Sequence, residues 1–283
     1  MRLDKFLADM GVGSRSDLKK TIRKSLVTVN GAVEKDPGAQ VSAEDHICFD
    51  GAEIRYAEQQ YYMLHKPAGV LSASEDRRQT TVVDLINLND ELVRKDLFPV
   101  GRLDKDTEGL LIITNDGPLA HQLLVPKHHI DKTYYAIVTG TITEDDQRAF
   151  TRGIRYDEKL TALPATLRVL STGKTVADLR CELGFTATSE RLLHTRLAGP
   201  AFIGAEEPAD ITEDSLVSEV EITIQEGKFH QVKKMVKALP GGKEILYLRR
   251  ISMGALRLDP KLAPGEFRKL SEDEIKILKK ETE

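Results

Sequence analysis

Cysteine is scarce in this chain: Cys48 and Cys181 are its only two, far apart and in no ligand-like spacing. That excludes a disulfide framework and offers no cysteine-based zinc site, so two reduced thiols in a cytoplasmic protein are expected. No stretch approaches the ~18 consecutive apolar residues of a spanning helix, and no membrane partner is expected. The start, Met1-Arg2-Leu3-Asp4-Lys5, is charged and lacks the apolar core of a secretory signal. Phosphate-cradling loops are missing as well. Gly11-Val12-Gly13 follows a helical pattern rather than a strand, and Gly173-Lys174-Thr175 has Arg168 where a phosphate loop needs its first glycine. Neither internal repeats nor low-complexity tracts occur.

What is present suffices for a small module plus a sizeable domain: 283 residues, 40% hydrophobic and 30% charged. The formal net charge of -4 hides strong local asymmetry. Segment 227–250 carries seven Lys or Arg against Glu244 alone, and 1–24 carries seven against Asp4, Asp9 and Asp17. Segment 171–219 is the reverse, with nine acids and four bases. The local field decides what a surface attracts, so two basic segments keep RNA open as a partner.

The first 60 residues read as one compact unit. Leu3, Phe6, Leu7 and Met10 share a helical face, and Gly11 and Gly13 interrupt it. Ser14 with Asp17 opens a second helix running from Arg15 to about Lys24. Its inner face is Leu18 and Ile22, which leaves Arg15, Lys19, Lys20, Arg23 and Lys24 outside. Val27-Thr28-Val29-Asn30-Gly31-Ala32-Val33 is a hairpin signal, and a further strand near His46 to Phe49 turns at Asp50-Gly51. Charge alone allows either a solvated helix or a surface that reads an RNA backbone.

After a polar linker at 55–60, strands are predicted over 61–65, 97–100, 110–114, 133–138, 163–170, 219–225 and 245–251. Helices are predicted over 81–88, 118–125, 144–152, 229–239 and 272–280. Strands and helices do not alternate steadily, so an α+β fold on a mixed, mostly antiparallel sheet is expected. Between the second and third strands lies Gly101-Arg102-Leu103-Asp104-Lys105-Asp106-Thr107-Glu108-Gly109, a charge-rich loop framed by apolar strands. Composition leaves it as either a solvated hairpin tip or a scaffold for reactive groups.

Two resemblances decide between these readings. "RLDKFLADMGVGSRSDLKKTIRKSLVTVNG" resembles the alpha-L RNA-binding motif, which implies RNA contacts from Arg15, Lys19 and Lys20. "GRLDKDTEGLLIITNDG" is similar to the signature of the RsuA/RluA group of pseudouridine synthases, and its seventeen residues make the match specific. That likeness implies that Asp104 is the catalytic carboxylate and that Asp106 and Glu108 shape the loop or lie exposed. In Asp131-Lys132-Thr133-Tyr134-Tyr135 it implies an active-site Tyr134, able to stack on uracil and offer a hydroxyl. Tyr135 alternates to the opposite face. In Glu226-Gly227-Lys228-Phe229-His230-Gln231-Val232-Lys233 it implies Lys233 as the cation that keeps Asp104 ionised. Alone, Lys233 would be a solvated helix charge. "YLRRISMGAL" looks like the RsuA branch, with Arg250, like Arg102, an expected RNA or pocket contact. His65, where relatives have Asn before Lys-Pro, is given no chemistry.

The expected organisation is therefore an alpha-L RNA-binding module at 1–59 and a pseudouridine synthase catalytic domain at 60–283. The acidic stretch 171–217 is an unusual insertion, expected away from the RNA path because of its net negative charge. The implied activity is isomerisation of a uridine in small-subunit ribosomal RNA or an assembling subunit, by a cytoplasmic monomer with no cofactor and no metal. Large-subunit RNA is the alternative substrate, and a non-catalytic assembly factor the alternative class. A methyltransferase ranks lower, since no glycine-rich loop follows a strand.

Overall fold

The computed structural model describes residues 1–54, 56, 59–87, 94–158, 160–182 and 211–281. Helices α1 (Leu3–Asp9) and α2 (Arg15–Arg23) pack Leu3, Phe6, Leu7, Leu18 and Ile22 into one small core. Ser14 Oγ accepts the Asp17 N–H at 3.2 Å, which satisfies one free donor of the first turn of α2. Strands β1 (Val27–Val29), β2 (Ala32–Val33), β3 (Ile47–Phe49) and β4 (Ala52–Ile54) form a sheet in the order β2-β1-β3-β4. Asn30 and Gly31, both left-handed (φ 51 and 82), make the tight turn that the Asn-Gly pair predicts. Asp4 is fully buried beneath this unit, and Arg2 and Arg15 donate to its carboxylate. Hydrogen bonding from Arg2 first, then Arg15, lowers its pKa to about 2.

The larger sheet holds β5 (Tyr61–Lys66), β7 (Glu108–Thr114), β8 (Lys132–Thr139), β9 (Thr166–Thr175), β10 (Leu216–Ile224), β11 (Ile245–Met253) and β13 (Phe267–Lys269). Their order is β13-β5-β7-β11-β8-β10-β9. The short strands β6 (Phe98–Pro99) and β12 (Leu256–Arg257) pair with β7 and β11. Along this path only β7 and β11 are parallel, so the sheet is mixed and mostly antiparallel, as expected.

Alternation along the strands sends successive side chains to opposite faces. One face sets Tyr62, Leu64, Leu111 and Ile113 against α3 (Val82–Asn87), α5 (Glu144–Arg152) and α7 (Gln231–Lys237). The other sets Tyr61, Met63, Leu110 and Ile112 against α4 (Gly117–Leu124) and α8 (Glu272–Lys280). Both β5 and β7 are buried throughout, which explains their nearly unbroken apolar runs.

Register places several strand ends together. Lys66, at the end of β5, pairs with Gly109 near the start of β7. Arg250 also pairs with Gly109 and, across β11, with Tyr134 of β8. Lys132 faces Ile224, the last residue of β10. The loop with Asp104 and the segment leaving β10 toward α7 therefore share one end of the sheet. The insertion leaves from the other end, through Thr175 and Leu216. Its described roots extend the β9–β10 hairpin and add α6 (Val176–Glu182), while residues 183–210 lie outside the described residues.

Sequence reading missed α6, although Thr175 and Asp178 cap each other reciprocally: the Thr175 N–H donates to Asp178 and the Asp178 N–H to Thr175. It also missed β12 and β13, two and three residues long, too short for periodicity to register. Part of the expected linker (55, 57 and 58) and the end of the 81–88 helix fall outside the described residues.

Gly109 carries the parallel contact. Its φ is 106, and a Cβ there would lie 2.2 Å from the Arg250 carbonyl oxygen. Gly109→Ala should destabilise the chain by at least about 2 kcal/mol, since a strained backbone alone costs ~1–3 kcal/mol. Denaturant unfolding measures this, and an unchanged midpoint would contradict the close approach.

Candidate active site

Asp104 sits at the tip of the hairpin between β6 and β7, one-quarter exposed. The loop rests on the segment after β5. The Leu103 N–H donates to Ser72 Oγ and the Gly69 N–H to the Lys105 carbonyl. Beneath it the Lys66 ammonium, fully buried, donates to the carbonyls of Pro67, Lys105 and Thr107 at 3.0, 3.1 and 2.9 Å. Burial lowers the Lys66 pKa to about 8, against the opposing pull of Asp106, Glu108 and Asp104. An ammonium with no water around it needs such acceptors, so Lys66 fixes the loop backbone from below. A lysine within an apolar strand is the signal that marks it in the sequence.

The turn into α7 supplies the groups that face Asp104. Lys233 Nζ lies 3.3 Å from Asp104 Oδ2, which places the expected partners together. It lies closer still to Asp106, at 2.6 and 2.7 Å from the two carboxylate oxygens. Asp106 is thus a half-exposed ion-pair partner rather than a simple loop residue. Glu108 is buried and accepts from the Tyr247 hydroxyl at 2.9 Å, contrary to an exposed reading. His230 Nε2 stands 3.5 Å from Asp104 Oδ1. Its backbone is left-handed (φ 52) at the N-cap of α7, and its side chain makes no cap there. Burial lowers its pKa, opposed by Asp104. The sequence reading gave His230 no role, although it lies within the His-Gln stretch that marks this helix start.

The remaining predicted residues separate. Tyr134 is buried in the core that also takes Val232, Met235 and Val236 of α7, on the same sheet face. No hydrogen bond joins it to Asp104 among the described residues. Tyr135 points the other way, its hydroxyl donating to Glu219 and its ring beneath Arg249. Arg102 is exposed beside the loop tip, and Lys19 and Lys20 are exposed on α2. Arg15, half-exposed, is tethered to Asp4 at 3.1 Å.

Arg250 must be corrected as an RNA contact. It is 2% exposed, with Nε donating to the Leu110 carbonyl at 2.8 Å. It follows Leu248 by two residues and faces inward with it, while Arg249 takes the opposite direction.

The family model for RNA pseudouridylate synthase matches residues 60–238, and that for the S4 domain matches residues 1–47. The uncharacterized RNA pseudouridine synthase YtzG of Bacillus subtilis is 39% identical, with 98% of each chain covered. The ribosomal small subunit pseudouridine synthase A of Pasteurella multocida is 34% identical, over 99% of this chain and 100% of its own length. The ribosomal large subunit pseudouridine synthase B of Bacillus subtilis is also 34% identical, over 98% of this chain and 95% of its own. A solved pseudouridylate synthase superposes with a TM-score of 0.57 at 32% identity, covering 98% of this chain and 99% of that one. The chain belongs to the RNA pseudouridylate synthase family and carries an S4 domain at its N-terminus.

Two buried ammonium groups give the fold a pH signature. Lys132, donating to the Ile130 carbonyl at 2.7 Å, has its pKa lowered to about 8, by burial first and then by Arg250. Lys66 matches it at about 8, against an ordinary 10.5. Between these values the unfolded chain binds more protons than the folded one, so stability should rise with pH from about 8 upward. Below about pH 8 the full cost of both charges is present. Urea unfolding at pH 7.5 and at pH 9.5 should show a higher midpoint at the upper pH. A lower midpoint there would contradict the burial of these charges.

Proposed function

We propose that this chain isomerises one uridine to pseudouridine in ribosomal RNA, and that its substrate is the small-subunit RNA. The observation that carries the reading is the Asp104 carboxylate, 3.3 Å from Lys233 and 3.5 Å from His230 on a loop anchored from below. Small-subunit specificity is supported by the "YLRRISMGAL" likeness to the RsuA branch and by the Pasteurella multocida relative named for that subunit. The Bacillus subtilis relative named for the large subunit, at the same identity, supports the second reading, large-subunit RNA.

In this account residues 1–59 form the RNA-gripping module, with Arg15, Lys19 and Lys20 toward phosphates, and residues 60–283 the catalytic domain. Arg102, exposed at the loop, meets the RNA near the target. The uridine is extruded from its stack, which costs a few kcal/mol offset by contacts in the pocket. Lys233 pairs with the Asp104 carboxylate, and Tyr134 supports the uracil face. Asp104 then either attacks the nucleotide or removes a ribose proton. The bond from N1 to C1′ breaks, the base turns, C5 bonds to C1′, the C5 proton leaves to solvent and N1 takes up a proton in its place. This needs no redox cofactor. The enzyme works as a cytoplasmic monomer on free RNA or an assembling subunit.

Primer extension on carbodiimide-treated ribosomal RNA tests this, comparing cells with the native protein and with Asp104→Asn. A stop present with the native protein and lost with the variant establishes the activity and names the subunit. If every stop survives in cells with no second synthase for that site, the catalytic reading fails.

A further inference from the structure

Phe229 is 71% exposed, more than any other large apolar side chain among the described residues. Such a ring is more often folded inward, and this one lies beside the reacting carboxylate. Its inner face stacks on His230, with ring centroids 3.7 Å apart and planes inclined by 21°. His230 Nε2 in turn is 3.5 Å from Asp104 Oδ1. Carboxylate, imidazole and phenyl thus form a short pile running outward from the site, with the open face of Phe229 as its last step. The backbone at His230 is left-handed (φ 52) at the start of α7.

The ring's neighbours are charged rather than apolar. Lys234 Nζ, 3.6 Å from Asp157, lies 5.8 Å from the Phe229 centroid, and Lys228, paired to Glu226, precedes it in the chain. A protein partner would ask for an apolar patch. A flat ring among ammonium groups suits a polyanion with flat bases, since any base can stack on it while the phosphates meet the lysines. The target uracil itself belongs further in, beside Asp104 and the Tyr134 face. We propose that the open face of Phe229 stacks a base flanking the extruded uridine, holding the strand in place at the mouth of the site. This rests on the reading of Asp104 as the catalytic carboxylate.

The test uses the full-length chain and transcripts of small- and large-subunit ribosomal RNA labelled with tritium at uracil C5, whose release reports turnover. Phe229→Ala should raise KM about tenfold, in the range of one lost base–aromatic stack, with a much smaller change in kcat. Phe229→Tyr should restore KM, and Phe229→Leu, apolar but without a flat ring, should not. Filter binding of the same transcripts, with each Phe229 variant built on Asp104→Asn, should show the same order without turnover. An unchanged KM and affinity for Phe229→Ala, or rescue by Leu equal to that by Tyr, would overturn the stacking role. Activity persisting in Asp104→Asn alone would instead defeat the catalytic assignment, while the binding series still decides Phe229.

Discussion

An ammonium group buried without acceptors is too costly to keep, and Lys66 answers that constraint by collecting three backbone carbonyls. Two of them, Lys105 and Thr107, lie within the loop whose tip is Asp104. Strand β5 ends at Lys66, and the register of β5 on β7 brings that end to Gly109, so the ammonium arrives directly under the loop. The cost of burial is visible in its pKa, brought down to about 8. What the fold gains is a fixed underside for a segment that carries Asp104, Asp106 and Glu108 within five residues of one another. Three carboxylates so close would otherwise repel and spread. Lys233 pairs with both Asp104 and Asp106, the Tyr247 hydroxyl donates to Glu108, and Lys66 holds the backbone between them from below.

The rest of the architecture serves to bring distant chain segments to this one place. Helix α7 reaches it because β10 ends there, and β10 ends there because it pairs with β8 in full register from Val217 to Ile224. Gly109 lets β11 lie so close to β7 that any side chain would collide with the Arg250 carbonyl. The acidic insertion departs from the far end of the β9–β10 hairpin, so its described roots put no negative charge beside the Asp104 loop. A long addition between strands is tolerated there because the hairpin closes without it.

Local chemistry was legible in the sequence. Leu3, Phe6 and Leu7, the Asn30-Gly31 turn and the Ser14–Asp17 cap each depend on neighbours within a few residues, and each is found where its pattern places it. Asp104 and Lys233 were legible only through resemblance, since a loop aspartate and a helix lysine are ordinary in themselves. Three features needed the folded chain. Asp106 takes its ion pair from a residue 127 positions away, and nothing local announces it. His230 enters the site through a left-handed turn at the start of α7 that no local pattern announces. Arg250 reads as a surface base in a basic run, yet it is buried while Arg249 is not, a distinction set by the alternation of β11 and its pairing with β8. Residue type names the charge, and only pairing decides which side of the sheet receives it.

Lys233 stands between two carboxylates and is nearer to the one to which no chemistry is assigned, so the central claim is that Asp104 rather than Asp106 performs the reaction. The direct measurement is single-turnover release of tritium from uracil C5 in ribosomal RNA transcripts by Asp104→Asn and Asp106→Asn. The account predicts no detectable release with Asp104→Asn and a reduced but measurable rate with Asp106→Asn, where Lys233 keeps one carboxylate partner. Release by Asp104→Asn, with Asp106→Asn inactive, would contradict it and move the chemistry to the neighbouring aspartate.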